Sequence, residues 1–372
     1  MELMTEGTIS KGKGVHVALV RASSIKPEPV AWLWRDWLAA GKLHVLGGTP
    51  GTGKTTIALD FAAVLSSGRC WPDDSPASCG NVVIWSGEDD PKDTLIPRLL
   101  QAGANMDNIY FIAGVQEDKK NRSFDPAIDM EPLLKKLEEI GNVRLLIIDT
   151  IVSAVTGDSH KNAEVRRSLQ PLVDLAGKLG CALLGITHFS KATHGRNPIE
   201  RLTGSLAFGA LARVVLVVAK LPKEDDEDEM TWLLMRAKSN IGPDEGGFVY
   251  QLQQNELACH PGVCGSFIKW KQFVEGSARD WLASAEKTNE GKRQGALEKA
   301  IKFLSELLMN GPLPQADIEA QYLHAGHSHS TMRRAKSNLQ IQSVKAGGYF
   351  GSEDQQWLWT LPNTVTEDED IG

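Results

Sequence analysis

Apolar stretches punctuate this chain at two different rhythms. Between residues 43 and 218, runs of four or five apolar residues recur at 43–46, 82–85, 109–112, 145–148, 182–186 and 214–218. Segments with a helical period lie between them, among them 55–65, 130–140 and 163–179, the last followed by Gly180 in the position of a left-handed helix terminator. Strands that are apolar throughout need cover on both faces, so this βαβ rhythm predicts an α/β fold, a mostly parallel sheet with helices on both sides. Segments 231–237 and 247–252 follow each other with no helix between and predict an antiparallel extension of the sheet edge, with a final short strand near 267–270.

The rhythm changes after residue 276. Residues 276–292 are rich in Ser, Lys, Glu and Gly and read as a linker or linker helix. Beyond it, apolar residues at 297, 301, 304, 307 and 308 give 296–308 a helical period, Gly311-Pro312 breaks it, and 315–324 forms a second helix. A Gly326 turn leads to Ser330, the expected N-cap of a third helix over 331–339. Segments 341–344 and 356–361 flank Gly347-Gly348 as the strands of a wing would. Three short helices and a hairpin predict a small winged helix-turn-helix. The expected division is an N-terminal arm over 1–31, an α/β domain over 32–275, a linker over 276–292, a winged unit over 293–362 and an acidic disordered tail over 363–372.

Composition narrows the class without naming it. A chain of 372 residues exceeds the usual span of one core, and 42% hydrophobic with 23% charged residues excludes a fibrous or wholly disordered protein. The net charge of −7 argues against adhesion to nucleic acid by bulk electrostatics. Two acidic runs, 224–229 (a solvated hairpin tip by its setting) and 367–370, carry ten carboxylates, and without them the net charge would be +3, so a local basic surface is compatible with the total. Five scattered cysteines point to a reducing compartment; Cys259-His260 and Cys264 lack a second ligand pair and do not make a zinc site. No apolar run approaches the roughly 20 residues that cross a bilayer, so the expectation is a cytoplasmic protein with no membrane partner.

The most specific chemistry lies at the end of the first strand. Gly48-Thr49-Pro50-Gly51-Thr52-Gly53-Lys54-Thr55, followed by Thr56, is a complete phosphate loop set between an apolar strand and a helix. Gly51 and Gly53 let backbone N–H groups turn toward phosphates, the helix aims its positive end at them, Lys54 reaches the β- and γ-phosphates, and the Thr55 hydroxyl ligates magnesium. ATP and Mg²⁺ are therefore the expected cofactors. Asp149, at the end of the apolar run Leu145-Leu146-Ile147-Ile148, is the second magnesium partner, and Glu88, ending the run at 82–85, is the general base, with Asp89 and Asp90 as competitors for that role. Asp90, preceding Pro91, suits a helix cap instead. His188, at the end of the run at 182–186, can report the γ-phosphate. Trp32, Trp34 and Trp37 either bury the edge of this domain or flank the adenine.

These residues resemble the RecA-like ATPases, and within them the RepA-type hexameric replicative helicases of plasmids and mobile elements. The resemblance spans about residues 32–252 and rests on the phosphate loop, SGED at 86–89, LLIIDT at 145–150, THFSK at 187–191 and RAKSN at 236–240. It implies the same catalytic role for Glu88 and coupling of His188 to DNA-contacting loops. It also implies a basic residue that enters the neighbouring subunit's site, for which Arg236 and Lys238 are the candidates and Arg213 a third, and hence a homo-oligomer, a hexameric ring.

Two surfaces bear on DNA. Residues 189–206 form a long loop holding Lys191, His194, Arg196 and Arg201; in RecA-like rings the corresponding loop faces the channel and contacts single-stranded DNA. The winged unit carries eight basic residues against four acidic ones between 292 and 345, and its third helix concentrates Arg333, Arg334, Lys336 and Asn338, residue types that contact phosphates and the base edges of duplex DNA. The whole resembles ATPases of prophages and integrative elements that join a RepA-like motor to a winged helix. The expected function is an ATP-hydrolysing, oligomeric DNA helicase of a mobile element. An ATP-gated sequence-specific regulator or initiator and a RecA-like recombination or repair mediator stay open beside it.

Overall fold

The computed structural model describes residues 18–362, except 118–119, 126–127, 156, 191–192, 203–205, 222–229 and 348–355, and gives the backbone alone over 288–293. The acidic run at 224–229, the tail at 363–372 and Lys191 therefore lie outside the described residues. Residues 18–31 are exposed throughout. Two short strands follow, β1 (Trp32–Trp34) and β2 (Leu38–Ala39).

The centre is a nine-stranded sheet. Its members in chain order are β3 (Leu43–Gly48), β4 (Asn81–Ser86), β5 (Ile109–Phe111), then, past the small hairpin β6 (Val115–Glu117) and β7 (Lys120–Arg122), β8 (Val143–Asp149), β9 (Ala182–His188), β10 (Val214–Lys220), β11 (Trp232–Ser239), β12 (Gly247–Leu257) and β13 (His260–Val274). In space they run β13-β12-β11-β10-β3-β9-β8-β4-β5; β10 through β5 are parallel, and β11, β12 and β13 extend the sheet antiparallel. All six parallel strands and the two antiparallel additions fall where the apolar runs predicted them.

Consecutive residues of the central strands feed opposite cores. Leu46, Ile84, Leu145 and Ile147 pack with Ile57, Phe61 and Val64 of α1 (Lys54–Ser67), whereas Val45, Leu146 and Ile148 pack with Val165, Leu169 and Leu172 of α4 (Asn162–Leu179) and with Leu137 of α3 (Met130–Ile140). Between α1 and α3 lies α2 (Ile96–Gln101), entered through a π-turn over Pro91–Leu95 whose N-cap is Asp90. Trp34 and Trp37 turn out to be core, while Trp32 is half-buried. Trp34 is fully buried, stacked between Trp37 at 4.8 Å and Trp71 at 5.0 Å, and its Nε1 donates to Asp73. Truncating a ring so enclosed costs about 3–5 kcal/mol.

Three elements differ from the sequence expectation. The strand expected near 267–270 is the 15-residue β13, because pairing with β12 carries the Pro- and Gly-containing stretch at 260–265 into the ladder; local propensity argued against it and tertiary pairing overrides that. The linker at 276–292 and the helix at 296–308 are one helix, α6 (Ala278–Leu308), whose N-cap Ser277 accepts from the Asp280 N–H; at 31 residues it is about 46 Å long. The helix at the C-terminal side, expected to start after Ser330, is α8 (His329–Asn338), capped by Ser328.

Beyond α6 the chain adds β14 (Leu313–Pro314), α7 (Gln315–His324), α8, β15 (Gln342–Ala346) and β16 (Gln356–Thr360). The strands form an antiparallel sheet in the order β14-β16-β15. Ala300, Leu304 and Leu308 of α6 close over Ile318, Tyr322, Met332, Ala335 and Trp359 as a separate small core. The two ends of α6 thus belong to different cores, since Ala278 and Leu282 lie in the sheet's.

His44, buried in β3, accepts the Ala39 N–H through Nε2 at 2.9 Å. Burial pushes its pKa down to about 4, against small opposing effects of backbone bonds. The unfolded chain therefore binds a proton that the folded one refuses between pH 6.5 and about 4. Stability contributed here is intact above pH 6.5 and falls by about 1.4 kcal/mol per pH unit below it. Urea unfolding at pH 7.5 and 5.5 is expected to show a smaller loss for His44→Phe than for the wild type; equal losses would contradict this assignment.

Candidate functional site

The sheet sets the geometry of the phosphate loop. β9 lies between β3 and β8, so the ends of three adjacent parallel strands converge: Gly48 opening the loop, His188, and Asp149. Glu88 follows β4, the next strand over. A cleft of about 340 Å³ is lined by Gly51, Gly53, Lys54, Thr55 and Thr56 on one side and by Glu88, Asp89, Asp149 and His188 on the other. Ligands in open α/β sheets sit at this carboxyl end of the strands.

Gly51 and Gly53 both have left-handed backbones, with φ of 75° and 78°. At Gly53 a Cβ would also stand 2.6 Å from the Leu252 side chain, so another residue would have to push that side chain aside as well as adopt a left-handed backbone. Thr52 Oγ1 donates to the Thr49 carbonyl at 2.8 Å, and the Thr52 carbonyl accepts the buried Tyr250 hydroxyl at 2.5 Å. The loop is thus braced from inside and from β12. Lys54 Nζ rests on the Thr49 carbonyl at 3.0 Å, within the cleft.

Thr55 Oγ1 donates to Asp149 Oδ2 at 2.7 Å, joining the helix start to the strand end. The other carboxylate oxygen, Oδ1, is buried with no hydrogen-bond partner among the described residues. A hydroxyl beside a buried carboxylate with a free oxygen fits magnesium, which Thr55 would hold directly and Asp149 through water. Once bound, the ion neutralises phosphate charge. Burial pushes the Asp149 pKa up to about 6, the Thr55 hydroxyl opposes this, and Glu88 and Asp89 add to it; at pH 7 the group is still mainly ionised. Burial likewise lowers Lys54 to about 8, opposed by Asp149 and Glu88, and leaves it mainly charged.

Glu88 Oε1 lies 3.7 Å from His188 Nε2. Burial first and the Lys54 charge second hold the His188 pKa below its ordinary value, so the imidazole is neutral at pH 7 and the contact is not an ion pair. Glu88 is half exposed and accepts no strong bond, which suits a group that orients water. Asp89 is engaged by Arg98 of α2 at 3.1 Å. Asp89 is thus tied to Arg98 and Asp90 to the Lys92 N–H, whereas Glu88 faces His188.

The basic residues divide by burial. Arg236 is buried, donates to the Glu245 carbonyl and lies over the Trp37 ring at 4.6 Å. Lys238 Nζ donates to the carbonyls of Gly209 and Ala212 at 2.7 and 3.0 Å, closing the C-terminal end of α5 (Leu206–Leu211). Arg213 is exposed and makes no ion pair among the described residues. In the 189–206 loop, Arg196 is exposed, but Arg201, expected to face DNA, is 4% exposed and paired with Glu286 of α6 at 2.7 Å; burial removes it from any such surface. His194 is exposed and shares Glu286. On α8, Arg333, Arg334 and Asn338 are exposed, while Lys336 lies over the Trp359 ring at 3.9 Å and donates to Ser343.

Sequence reading missed Arg98, Tyr250, Leu252 and Ser266 at the cleft and Glu286 behind the loop. A basic residue two turns into the helix after SGED was a signal for Arg98; nothing local marked the others, which arrive from β12, β13 and α6.

Residues 14–194 match the AAA_25 family, described as an AAA domain, which is just under half of the chain. The DNA repair protein RadA of Halalkalibacterium halodurans is 26% identical over 177 residues, covering 46% of this chain and 33% of that relative. The match thus spans about a third of the relative's length. Both matches, with the sheet order and the loop geometry, support a RecA-like P-loop ATPase core. No helix among the described residues is long and apolar enough to cross a membrane.

Lys54→Ala is expected to remove detectable ATP binding in calorimetry with magnesium. Glu88→Gln is expected to bind an ATP analogue within about threefold of wild type while phosphate release falls by roughly 10²–10⁴-fold. Turnover within tenfold of wild type would move the base away from Glu88.

Proposed function

We propose that this protein is an oligomeric, ATP-hydrolysing motor that acts on DNA, of the replicative-helicase type, with its C-terminal unit serving as a winged helix on duplex DNA. The observation that carries the reading is the cleft itself, where Lys54, the Thr55–Asp149 pair, Glu88 and His188 meet, with an exposed basic residue, Arg196, on the segment that leaves His188. In this mechanism Lys54 and the loop amides bind the phosphates, Glu88 orients and deprotonates the attacking water, and neutral His188 senses the γ-phosphate and shifts the loop behind it along single-stranded DNA. Arg333, Arg334 and Asn338, exposed together on α8, are the groups offered to duplex DNA. Five free cysteines support a reducing, cytoplasmic setting.

The trans-acting cation in this reading is Arg213. Arg236 and Lys238 already satisfy carbonyls of their own subunit, and Arg213 is the exposed one of the three. Such a group stabilises charge on the transferred phosphoryl and contributes about 10³–10⁵-fold to turnover. A ring, a hexamer by resemblance, supplies it from the neighbour.

A second reading, a recombination or repair mediator, draws on the RadA match. Electron microscopy with ATP and single strands separates the two: closed rings support the motor, continuous filaments the mediator.

Two outcomes are expected. The wild type unwinds a forked duplex and its ATP turnover rises with single-stranded DNA, whereas Lys54→Ala does neither; a fork left intact by the wild type removes the helicase assignment and leaves the ATPase. Arg213→Ala lowers turnover by about 10³-fold with ATP affinity within threefold. Mixing it with Lys54→Ala restores part of the activity, because an intact phosphate loop then meets an intact arginine across one interface; no recovery would refute a role in trans.

A further inference from the structure

Glu286 gathers three donors from a single loop. Its Oε1 is ion-paired with Arg201 Nη2 at 2.7 Å and contacts His194 Nδ1 at 3.1 Å, and its Oε2 accepts the Gly195 N–H at 2.9 Å. The carboxylate is 16% exposed and the arginine 4%, so each charge depends on the other for compensation. Glu286 lies a full helical turn beyond Leu282, which is packed in the sheet's core, on the same helix that continues to the C-terminal core.

The other side of Arg201 leads to the nucleotide cleft. Its guanidinium lies over the Phe189 ring at 4.6 Å, and its carbonyl accepts the Ser190 N–H at 2.7 Å. Phe189 immediately follows His188, and its own N–H donates to the carbonyl of Gly48, the first residue of the phosphate loop, at 3.1 Å. Phe189 is also bridged to Leu202, whose side chain covers Gly47 so closely that a Cβ there would stand 2.3 Å away. A short series of packed and bonded residues therefore runs from Gly48 and His188 through Phe189 and Arg201 to Glu286. Arg201 Nε is buried without a hydrogen-bond partner among the described residues. The guanidinium is held by Glu286 on one side and the Phe189 face on another, with Nε left over.

We propose that Glu286 is a positioning residue that fixes Arg201 and the 193–202 segment to α6, and that through this joint the presence of a γ-phosphate at the cleft is transmitted to the helix that carries the C-terminal unit. The inference rests on nucleotide binding at the phosphate loop, and not on any action on DNA. Both ends of the series are packed elements, so a displacement at His188 that moves Phe189 must either move Glu286 or break its bonds.

The test is hydrogen–deuterium exchange of the full chain with and without magnesium and a non-hydrolysable ATP analogue. In the wild type, exchange is expected to slow at least threefold both in the peptide covering 48–60 and in α6 over 278–300. In Glu286→Ala, and in Glu286→Gln should the alanine variant fold poorly, the 48–60 response persists and the α6 response is lost. Exchanging the charges, Arg201→Glu with Glu286→Arg, is expected to restore it. A wild type that responds at 48–60 but not in α6, or a Glu286→Gln variant whose α6 still responds, overturns the inference. No response at 48–60 in the wild type overturns the nucleotide reading and this inference with it.

Discussion

Everything at the cleft depends on two opposite charges, Lys54 and Asp149, being kept out of water at the ends of one covered sheet. Neither position is favourable alone: burial drags the lysine pKa down and the carboxylate pKa up, which is the cost of desolvating a charge. The parallel sheet makes that cost tolerable by fixing where each group sits. β3 delivers the phosphate loop, β8 delivers Asp149, and β9 between them spaces the two. The Thr55–Asp149 hydrogen bond then ties the start of α1 to the end of β8, so the polar ends of two buried elements satisfy each other.

How much of this could be read in the sequence follows from how local each constraint is. A phosphate loop must be contiguous, because adjacent backbone amides surround one ligand, and the strand ends bearing Glu88, Asp149 and His188 announce themselves because a polar residue closes each apolar run. The six parallel strands were legible for the same reason. The remainder is held by partners far apart in the chain. Tyr250 reaches Thr52 across 198 positions, Gly195 reaches Glu286 across 91, and the 260–265 part of β13 becomes strand only because β12 lies beside it. A segment such as 276–292, judged by composition, looked like a separator; its helix exists because Ala278 and Leu282 have a core to enter.

The basic residues show the same division more sharply. In the sequence Arg201, Arg236 and Lys238 are indistinguishable from Arg196 and Arg213, since charge is a property of the residue and availability is a property of the fold. Three cations that look like ligand contacts have partners within the fold: one a half-buried carboxylate, one a carbonyl and a tryptophan face, one the open end of a helix. What remains exposed on the loop and on α8 is a shorter set than residue counting suggested.

The described lining of the cleft is short of positive charge. Its described lining carries three carboxylates, Glu88, Asp89 and Asp149, against two cations, Lys54 and Arg98, with His188 neutral at pH 7. Arg98 is moreover held by Asp89. A nucleoside triphosphate adds about four negative charges to a site already one charge negative, and a divalent ion offsets only part of that. Charge on the phosphates then falls to Lys54, the loop amides and the ion that binds with the nucleotide. The electrostatics of the cleft thus favour cations that enter with the nucleotide, set beside the desolvated Lys54 and Asp149.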